Sequence, residues 1–174
     1  MSALRTAVVV GNPKPASRTL EAASYVARRL TGDVDALVVD LATLGAGLLD
    51  WSDPEVGRVV EEVAAADLVV VASPTYKGSI TGLLKLFLDR FAPGDLTGVV
   101  VPLMLGGGPG HALAPELALR PVLAELRALV PVRGLYVLDR QHDDPAAYDA
   151  WLDEAVPVVR TLLDHLPRPT GVPA

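Results

Sequence analysis

The segment G-N-P-K-P-A-S-R-T, residues 11–19, carries groups from which a phosphate site can be built. Ser17 and Thr19 supply hydroxyl donors, and Arg18 supplies a positive charge between them. Ser17 is a favoured N-cap for a helix starting at Arg18, and a helix N-terminus presents free amides and a positive dipole end to a phosphate. The segment matches neither G-x-x-x-x-G-K-S/T nor G-x-G-x-x-G, so it is neither a Walker loop nor a dinucleotide fingerprint. A capped helix after a proline-rich turn is an alternative of equal weight.

A second candidate segment is P-T-Y-K-G-S, residues 74–79, which follows an apolar run at residues 68–72. The run is mostly β-branched and is followed by Ser-Pro, which predicts a buried strand that ends abruptly. Ser79 is predicted to cap a helix over residues 80–91. A strand, a loop and a capped helix form half of a βαβ unit, and the loop of such a unit lies where open α/β sheets bind ligands. We interpret this loop, with its tyrosine, lysine and free amides, as half of a cofactor site.

The third candidate segment is G-G-G-P-G-H, residues 106–111. Successive glycines allow a flat ring to approach the backbone without Cβ collisions, although a flexible turn is the alternative. His111 is either a hydrogen-bond donor to a ligand or a helix cap, with equal weight. His142 and His165 have no partner pattern and are predicted to be surface residues.

Five apolar runs alternate with helical patterns along the chain. The pattern predicts one domain with a parallel sheet covered by helices on both faces. Five strands favour the flavodoxin-like order 2-1-3-4-5, in which ligands bind at the switch point between strands one and three. The predicted strands are residues 6–10, 36–39, 68–72, 99–105 and 134–138, and the predicted helices are residues 18–30, 54–66, 80–91, 115–129 and 145–166.

Prolines conflict with this pattern at three positions. Pro102 falls inside the fourth strand, where a bulge or a sheet edge is expected because proline cannot donate to the ladder. Pro121 is predicted to kink the fourth helix, and Pro157 is predicted to break or bend the last one. Residues 41–51 have no clear periodicity and are predicted to be irregular.

Chain length, net charge and residue counts limit the classes of protein to which this sequence can belong. A chain of 174 residues suits one domain, predicted at residues 1–166 and followed by a flexible tail at residues 167–174. The net charge of −6 argues against a nucleic-acid or acidic-membrane surface. The absence of cysteine excludes disulfides, thiolate catalysis and cysteine-ligated metals, and three scattered histidines argue against a histidine metal site. No secretory pattern or spanning segment is recognised, so a cytoplasmic protein is expected.

Three blocks together resemble the NAD(P)H-dependent FMN reductases of the flavodoxin-like superfamily. They are V-V-G-N-P-K-P-A-S-R-T, then S-P-T-Y-K-G-S-I-T-G-L-L-K-L-F-L-D, then G-G-G-P-G-H-A-L with L-A-L-R-P-V-L downstream. They occur in that order over roughly residues 6–140, and the middle block is the most specific.

The resemblance implies an FMN site made by the three loops. The first loop would hold the phosphate, and Asn12, which stands where family members often have serine, could still donate through its amide. The second loop would border the ribityl chain and the isoalloxazine, and the third would lie near the ring. The implied cofactor-binding residues are Asn12, Ser17, Arg18, Thr19, Pro74, Thr75, Tyr76, Lys77, Gly78, Ser79, Gly106, Gly107, Gly108 and His111.

The activity implied by the resemblance is hydride transfer from C4 of NADPH or NADH to N5 of FMN, with no essential general acid. Reduced FMN would then pass to a partner monooxygenase. Three alternatives remain open: a quinone or azo-dye reductase that retains FMN, a flavodoxin-type electron carrier, and an FMN-binding regulatory protein. The third loop lacks the tryptophan or tyrosine with which electron carriers commonly shield the flavin, and this favours access for nicotinamide.

The helix predicted at residues 80–91 also predicts an oligomer. Its apolar residues cover about 140°, whereas a helix lying on a sheet needs a stripe of about 100°. The excess indicates a homodimer or homotetramer with this helix at an interface. A helix wedged between its sheet and a long loop is the alternative.

Overall fold

The computed structural model describes residues 4–32 and 35–166 of the chain. Five parallel strands form one sheet in the order β2-β1-β3-β4-β5, which confirms the predicted flavodoxin-like arrangement. The tail predicted at residues 167–174 lies outside the described residues. The strands are β1 Thr6–Val10, β2 Leu37–Asp40, β3 Leu68–Pro74, β4 Val99–Gly106 and β5 Leu135–Leu138, and the helices are α1 Arg18–Thr31, α2 Pro54–Ala64, α3 Gly82–Leu88, α4 Arg120–Glu125 and α5 Ala146–His165.

The sheet separates two apolar cores. Alternation along β1 sends Val8 and Val10 to the core beneath α1 and α5, and Ala7 and Val9 to the core beneath α2, α3 and α4. All five residues of β1 and all eight of β4 are buried, as expected for inner strands of a parallel sheet covered on both faces. The carboxyl ends of β1 and β3, which are neighbours in the sheet, are thereby fixed side by side.

Pro102 lies in an inner strand without a bulge. It pairs in register with Val71, and the β4–β5 ladder begins only at the next residue, Leu103. Val100, two residues earlier, donates its amide to Leu129 on the β5 side of the strand. Because amides of alternate residues in a strand face the same side, the nitrogen of Pro102 also faces the β5 side. At this position the β4–β5 ladder has not yet begun, so β4 has the expected free edge on that side. The expected bulge is not present in this strand.

Local capping signals set the ends of α1 and α2. Ser17 Oγ accepts from the amide of Leu20, which confirms the predicted N-cap, and Gly32 ends α1 in the left-handed region with φ of 77°. Asp53 caps α2, with Pro54 in its first turn. Residues 41–51, predicted to be irregular, contain two short 3₁₀ helices, Leu41–Thr43 and Gly45–Leu49.

The third helix differs from its prediction at both ends. It begins at Gly82 and ends at Leu88, and its cap is Thr81, whose hydroxyl accepts from the amide of Leu84. Ser79 is not the cap, because its backbone pairs with Tyr76 in a tight turn. The apolar arc of this segment is largely used inside the chain: the buried residues are Leu84, Phe87, Leu88 and Phe91.

Proline acts differently in the two remaining helices. A π-helix, Pro115–Leu119, precedes α4, with the amide of Arg120 donating to the carbonyl of Pro115 five residues back. The helix predicted at residues 115–129 is therefore one helical run that changes from π to α geometry just before Pro121, which has no amide to continue the ordinary ladder, and it ends at Glu125. Of the break or bend predicted at Pro157, the break is wrong: α5 continues through Pro157, with Ala155 and Val159 buried in the core on either side. Among the described residues, no helix combines the length and the apolar character needed to cross a membrane.

Candidate functional site at the carboxyl edge of the sheet

The first loop, between β1 and α1, is organised by Asn12. Its side-chain amide donates to Thr19 Oγ1 at 3.0 Å, and its carbonyl oxygen accepts from the amide of Lys14 at 2.9 Å. The amide of Ala16 donates to the Asp40 carboxylate at the end of β2. These bonds hold the loop against the start of α1, where the first amides have no partner within the helix. The Asn12 amide thus donates to a group within the loop. Its acceptor, Thr19, is almost fully buried, at 1% exposed.

Arg18 is paired with an acidic residue that follows β5, the strand at the far edge of the sheet. Its Nη1 lies 2.5 Å from Oδ2 of Asp139, the first residue after β5. The side chains are 59% and 44% exposed respectively, so this is a surface ion pair in contact with water. A guanidinium has five donors in a fixed fork, and this one carboxylate contact leaves others for a ligand.

The second loop is a tight turn that follows β3. Tyr76 and Ser79 exchange two backbone hydrogen bonds of 3.0 Å each, and between them Lys77 and Gly78 have φ of 54° and 77°. Positive φ at both central residues is the requirement of a type I′ turn, which explains the glycine. The amide of Thr75 donates to the carbonyl of Leu105, which joins this loop to β4.

Thr81 joins the first two loops. Its hydroxyl donates to the carbonyl of Gly11 at 2.5 Å and accepts from the amide of Leu84, while its own amide donates to Ser73 Oγ. Gly11 has to be glycine, because a Cβ there would lie 2.3 Å from the Cβ of Leu84. The structure therefore brings the two halves of the predicted site together at the switch point.

The third loop combines one constrained glycine with open ones. A Cβ on Gly106 would lie 1.9 Å from the hydroxyl of Tyr136, which itself donates to the carbonyl of Gly108 at 2.6 Å. Gly106 is thus required by Tyr136, which is a different reason from the one the sequence suggested. No heavy atom of residues 4–32 and 35–166 lies within 4 Å of a Cβ placed on Gly107 or Gly108, so these two residues face open space within the described part of the chain.

Tyr136 and His111 fix the surroundings of the third loop. Burial raises the pKa of Tyr136, so its phenol remains a neutral donor to Gly108. His111 ends a 3₁₀ helix, Pro109–His111, and its Nε2 lies 3.7 Å from the position of a Cβ on Gly78. The third loop therefore lies next to the second, beside a cavity of about 290 Å³ lined by Gly78, Pro109, Gly110, His111, Ala112, Leu113, Ala114 and Leu117.

Comparison with known proteins decides which family has this arrangement. Residues 4–143 match the model of the family described as NADPH-dependent FMN reductase. The chain belongs to the NADPH-dependent FMN reductase family. Membership assigns it an NAD(P)H-dependent FMN oxidoreductase activity, with flavin and nicotinamide nucleotides as its small molecules.

Relatives and solved structures agree with this assignment. An FMN reductase (NADPH) of Escherichia coli (strain K12) is 33% identical over 143 residues, which are 79% of this chain and 75% of that protein. An NADH-dependent FMN reductase of Pseudomonas putida is 30% identical over 162 residues, 85% of this chain and 87% of that one. The structure of an NADH:FMN oxidoreductase in its apo form superposes with a TM-score of 0.81 at 28% identity, covering 97% of this chain and 93% of that one. An archaeal flavodoxin, with a TM-score of 0.61 and 15% identity, shares the fold.

The residues at this edge of the FMN reductase fit a flavin nucleotide. Thr75 Oγ1 is buried and has no hydrogen-bond partner among the described residues, so a polar group of a ligand would satisfy it. The bare backbone of Gly107 and Gly108 leaves room for a flat ring. The start of α1, with Arg18 beside it, suits a phosphate.

Several structural residues of the site were missed by sequence reasoning. Thr81 has a local signal, since a threonine three residues before Leu84 is a good N-cap, but Ser79 satisfied the same rule. Tyr136 and Asp139 have no local signal, because their partners lie 28 and 121 residues away in the chain. His142 was predicted to be a surface residue without a partner, and this is wrong.

His142 lies between α1 and the segment that follows β5. Its Nε2 is 3.0 Å from a carboxylate oxygen of Glu21, its Nδ1 is 3.1 Å from the carbonyl oxygen of Asp139, and its side chain is 14% exposed. The hydroxyl of Tyr148 donates to the carbonyl of His142. His165, by contrast, is exposed as predicted. The segment carrying Asp139 is therefore held by α1 and α5 together.

Tyr148 predicts a loss of stability in alkali. Burial is the main cause that raises the pKa of this phenol from 10.0 to about 12. Between these two pH values the unfolded chain releases the proton and the folded chain keeps it, so the free energy of unfolding falls as pH rises, by about 2–3 kcal/mol. Urea denaturation below and within this window should show a smaller fall for Tyr148→Phe. The control is Tyr76→Phe at an exposed phenol, and an equal fall in wild type and Tyr148→Phe would contradict the assignment.

Proposed function

We propose that this FMN reductase binds FMN across its three loops, reduces it with NADPH or NADH and releases the product. The observation that carries the proposal is the junction at the switch point. Thr81 bonds to Gly11 in the first loop and to Ser73 before the second. Thr75 bonds the second loop to β4, which leads directly into the open glycines.

Each loop has a separate task in this proposal. The amides at the start of α1, with Ser17, Arg18 and Thr19, hold the phosphate. Pro74, Thr75, Tyr76, Lys77, Gly78 and Ser79 border the ribityl chain and the ring, and Gly106, Gly107, Gly108 and His111 lie near the ring. Asn12 acts through Thr19, to which it donates. When bound, FMN supplies the N5 that accepts hydride from C4 of the nicotinamide, and one proton completes its reduction.

The chain itself provides alignment rather than acid–base chemistry. Holding two flat rings at reacting distance removes most of the entropy of a bimolecular encounter, and a glycine backbone permits close approach. The glycines at positions 107 and 108, of which the first is exposed and the second half-buried, leave one side of the proposed ring site uncovered for the nicotinamide. Hydride transfer needs such an uncovered side, because the nicotinamide has to lie against the flavin. An electron carrier that shields its flavin has no such side.

Absorbance of the flavin and nicotinamide bands tests the activity. Purified protein with catalytic FMN in air should oxidise NADPH, NADH or both at a rate that depends on the FMN concentration. Gel filtration should then separate FMN from the protein, as expected for a substrate rather than a retained group. Absence of nucleotide oxidation with either donor would overturn the proposal, and FMN that remains bound through filtration would favour a retained cofactor.

The proposed physiological acceptor is a flavin-dependent monooxygenase in the cytoplasm, where NAD(P)H is produced. Free reduced flavin reacts with oxygen, so a released product needs a consumer close by. A mixture with a reduced-flavin-dependent monooxygenase should couple NAD(P)H oxidation to substrate oxygenation. The two enzymes can also be separated by a dialysis membrane that passes small molecules but neither protein. Coupling that persists across this membrane would show that reduced flavin is transferred by diffusion.

We also propose that the chain forms a homodimer or homotetramer through the outer side of α3. Leu84 and Leu88 are buried in the chain's own core, so the apolar residues left for a partner are Ile80, Leu83 and Leu86, the last being 38% exposed. Sedimentation at micromolar concentration should show a dimer or tetramer, and Leu86→Glu should shift it towards the monomer. Val158→Glu, at a similarly exposed position on α5, is the control. A monomeric wild type would end this proposal.

A further inference from the structure

We propose that Asp139 limits how long FMN stays bound, because its carboxylate neutralises the arginine of the phosphate loop. The inference rests on the proposed function, in which Arg18 contacts the FMN phosphate. It concerns a residue outside the three loops, which enters the site from the segment after β5. Its position there is defined by the contact of 2.5 Å between Arg18 Nη1 and Asp139 Oδ2.

The backbone that carries the Asp139 carboxylate is held by contacts that do not involve Arg18. The short 3₁₀ helix Asp139–Gln141 is tied to α1 through His142, which contacts both the Asp139 carbonyl and Glu21. Tyr148 on α5 holds the carbonyl of His142. These bonds do not involve Arg18, so a negative charge remains beside the start of α1 when the arginine turns to a ligand.

Charge balance gives the direction of the effect. Arg18 is the one arginine of residues 11–19, and with Asp139 it forms a pair of net charge zero. A phosphate dianion at the start of α1 is then attracted by helix amides, gains less from the guanidinium than it would gain from an unpaired arginine, and is repelled by the neighbouring carboxylate. Since both members of the pair are largely exposed, solvent screens the effect to a modest size.

A modest effect suits an enzyme that gives up its flavin. The amides at the helix start favour a ligand with a phosphate, while Asp139 lowers the affinity for that ligand. The same carboxylate acts on oxidised and reduced FMN, because both carry the same phosphate. Asp139 is thus a positioning and affinity-setting residue that does not touch the reacting atoms.

Asp139→Asn tests the inference, since it removes the charge and keeps the shape. We expect FMN to bind about fivefold more tightly and to dissociate correspondingly more slowly, as for loss of one competing exposed ion pair. Riboflavin, which has no phosphate, should bind as it does to wild type. Fluorescence titration gives the affinities, and chase of bound FMN by excess riboflavin gives the dissociation rate. Asp139→Ser is a second variant with the same expected direction.

Two controls test whether Asp139 acts by competing with the phosphate for Arg18. Asp143→Asn removes a nearby charge that contacts His142 and is not in the contact with Arg18, so it should change FMN affinity less than twofold. In an Arg18→Ala background, Asp139→Asn should still tighten FMN binding through lost repulsion, but by less than in wild type. Equal tightening in both backgrounds would show that Arg18 plays no part in the effect and would overturn the inference.

Three further outcomes would each overturn the inference. Weaker FMN binding in Asp139→Asn would mean that the carboxylate orients Arg18 for the phosphate, and unchanged binding would mean that the pair is irrelevant to it; in both cases the proposed function stands. If wild type binds FMN no more tightly than riboflavin, the phosphate assignment fails, and the inference fails with it. NAD(P)H oxidation at saturating FMN, measured in parallel, reports on the activity independently.

Discussion

Arg18→Ala should weaken FMN binding by roughly one to two decades and leave riboflavin binding almost unchanged. A hydrogen bond to a charged group contributes about 1.5–3 kcal/mol, and about 1.4 kcal/mol corresponds to a factor of ten. The variant also leaves the carboxylate of Asp139 without its partner, which adds repulsion of the phosphate. Because the site is exposed, added salt should weaken FMN binding to wild type more than to the variant.

Paired titrations with the two flavins make this measurement. Arg28→Ala, at an exposed position near the other end of α1, is the matched control and should bind both flavins as wild type does. Equal losses for FMN and riboflavin would show that Arg18 supports the loop or the ring site. No loss for either would place the phosphate elsewhere, with Lys14 as the next candidate.

Gly11→Ala should lower the free energy of unfolding by about 1–3 kcal/mol and abolish flavin binding. The added Cβ would lie 2.3 Å from Cβ and 3.0 Å from Cα of Leu84, which is fully buried. Displacing α3 would break the bond from the Thr81 hydroxyl to the Gly11 carbonyl and separate the first two loops. Urea denaturation and FMN titration measure the two effects.

Gly107 provides the matched control for this substitution. A Cβ at Gly107 would meet no heavy atom of the described residues within 4 Å, so Gly107→Ala should fold as stably as wild type. Gly107→Val should also fold, but its larger side chain should obstruct the flavin or the nicotinamide and reduce turnover. A stable Gly11→Ala with normal FMN affinity would contradict the close packing of α3, and unchanged turnover in Gly107→Val would separate the third loop from the ring.

The positions of the strands, the ends of α1 and the start of α2 follow from local sequence signals, whereas the strand order is favoured only because five strands in one domain suit it. β-branched apolar runs predict β1, β3 and β4, and Ser17, Gly32 and Asp53 end or begin helices as such residues usually do. The three loops could be predicted because each follows a recognisable strand, and parallel strands end at one edge of the sheet. Local physics therefore suffices to place the candidate site.

The contacts that assemble the site could not be predicted in this way. Thr81 and Ser79 are equally good caps by type, and only the type I′ turn, which uses the backbone of Ser79, decides between them. Gly106 is explained by Tyr136 on a different strand, thirty positions along the chain. Asp139, which follows the edge strand β5, contacts Arg18 at the start of α1. The last two contacts depend on partners that are distant in the chain, whereas the choice of cap depends on the turn formed by residues 76–79.

The hydroxyl of Thr81 also limits the entropy lost when a ligand binds. With the first and second loops already joined through Gly11 and Ser73, and the second joined to β4 through Thr75, little backbone freedom remains to be lost on association. Immobilising loops and side chains is a main unfavourable contribution to binding, and a preorganised cleft avoids it. In the FMN site proposed above, surface charge such as that of Asp139 then adjusts the affinity while the cleft itself stays unchanged.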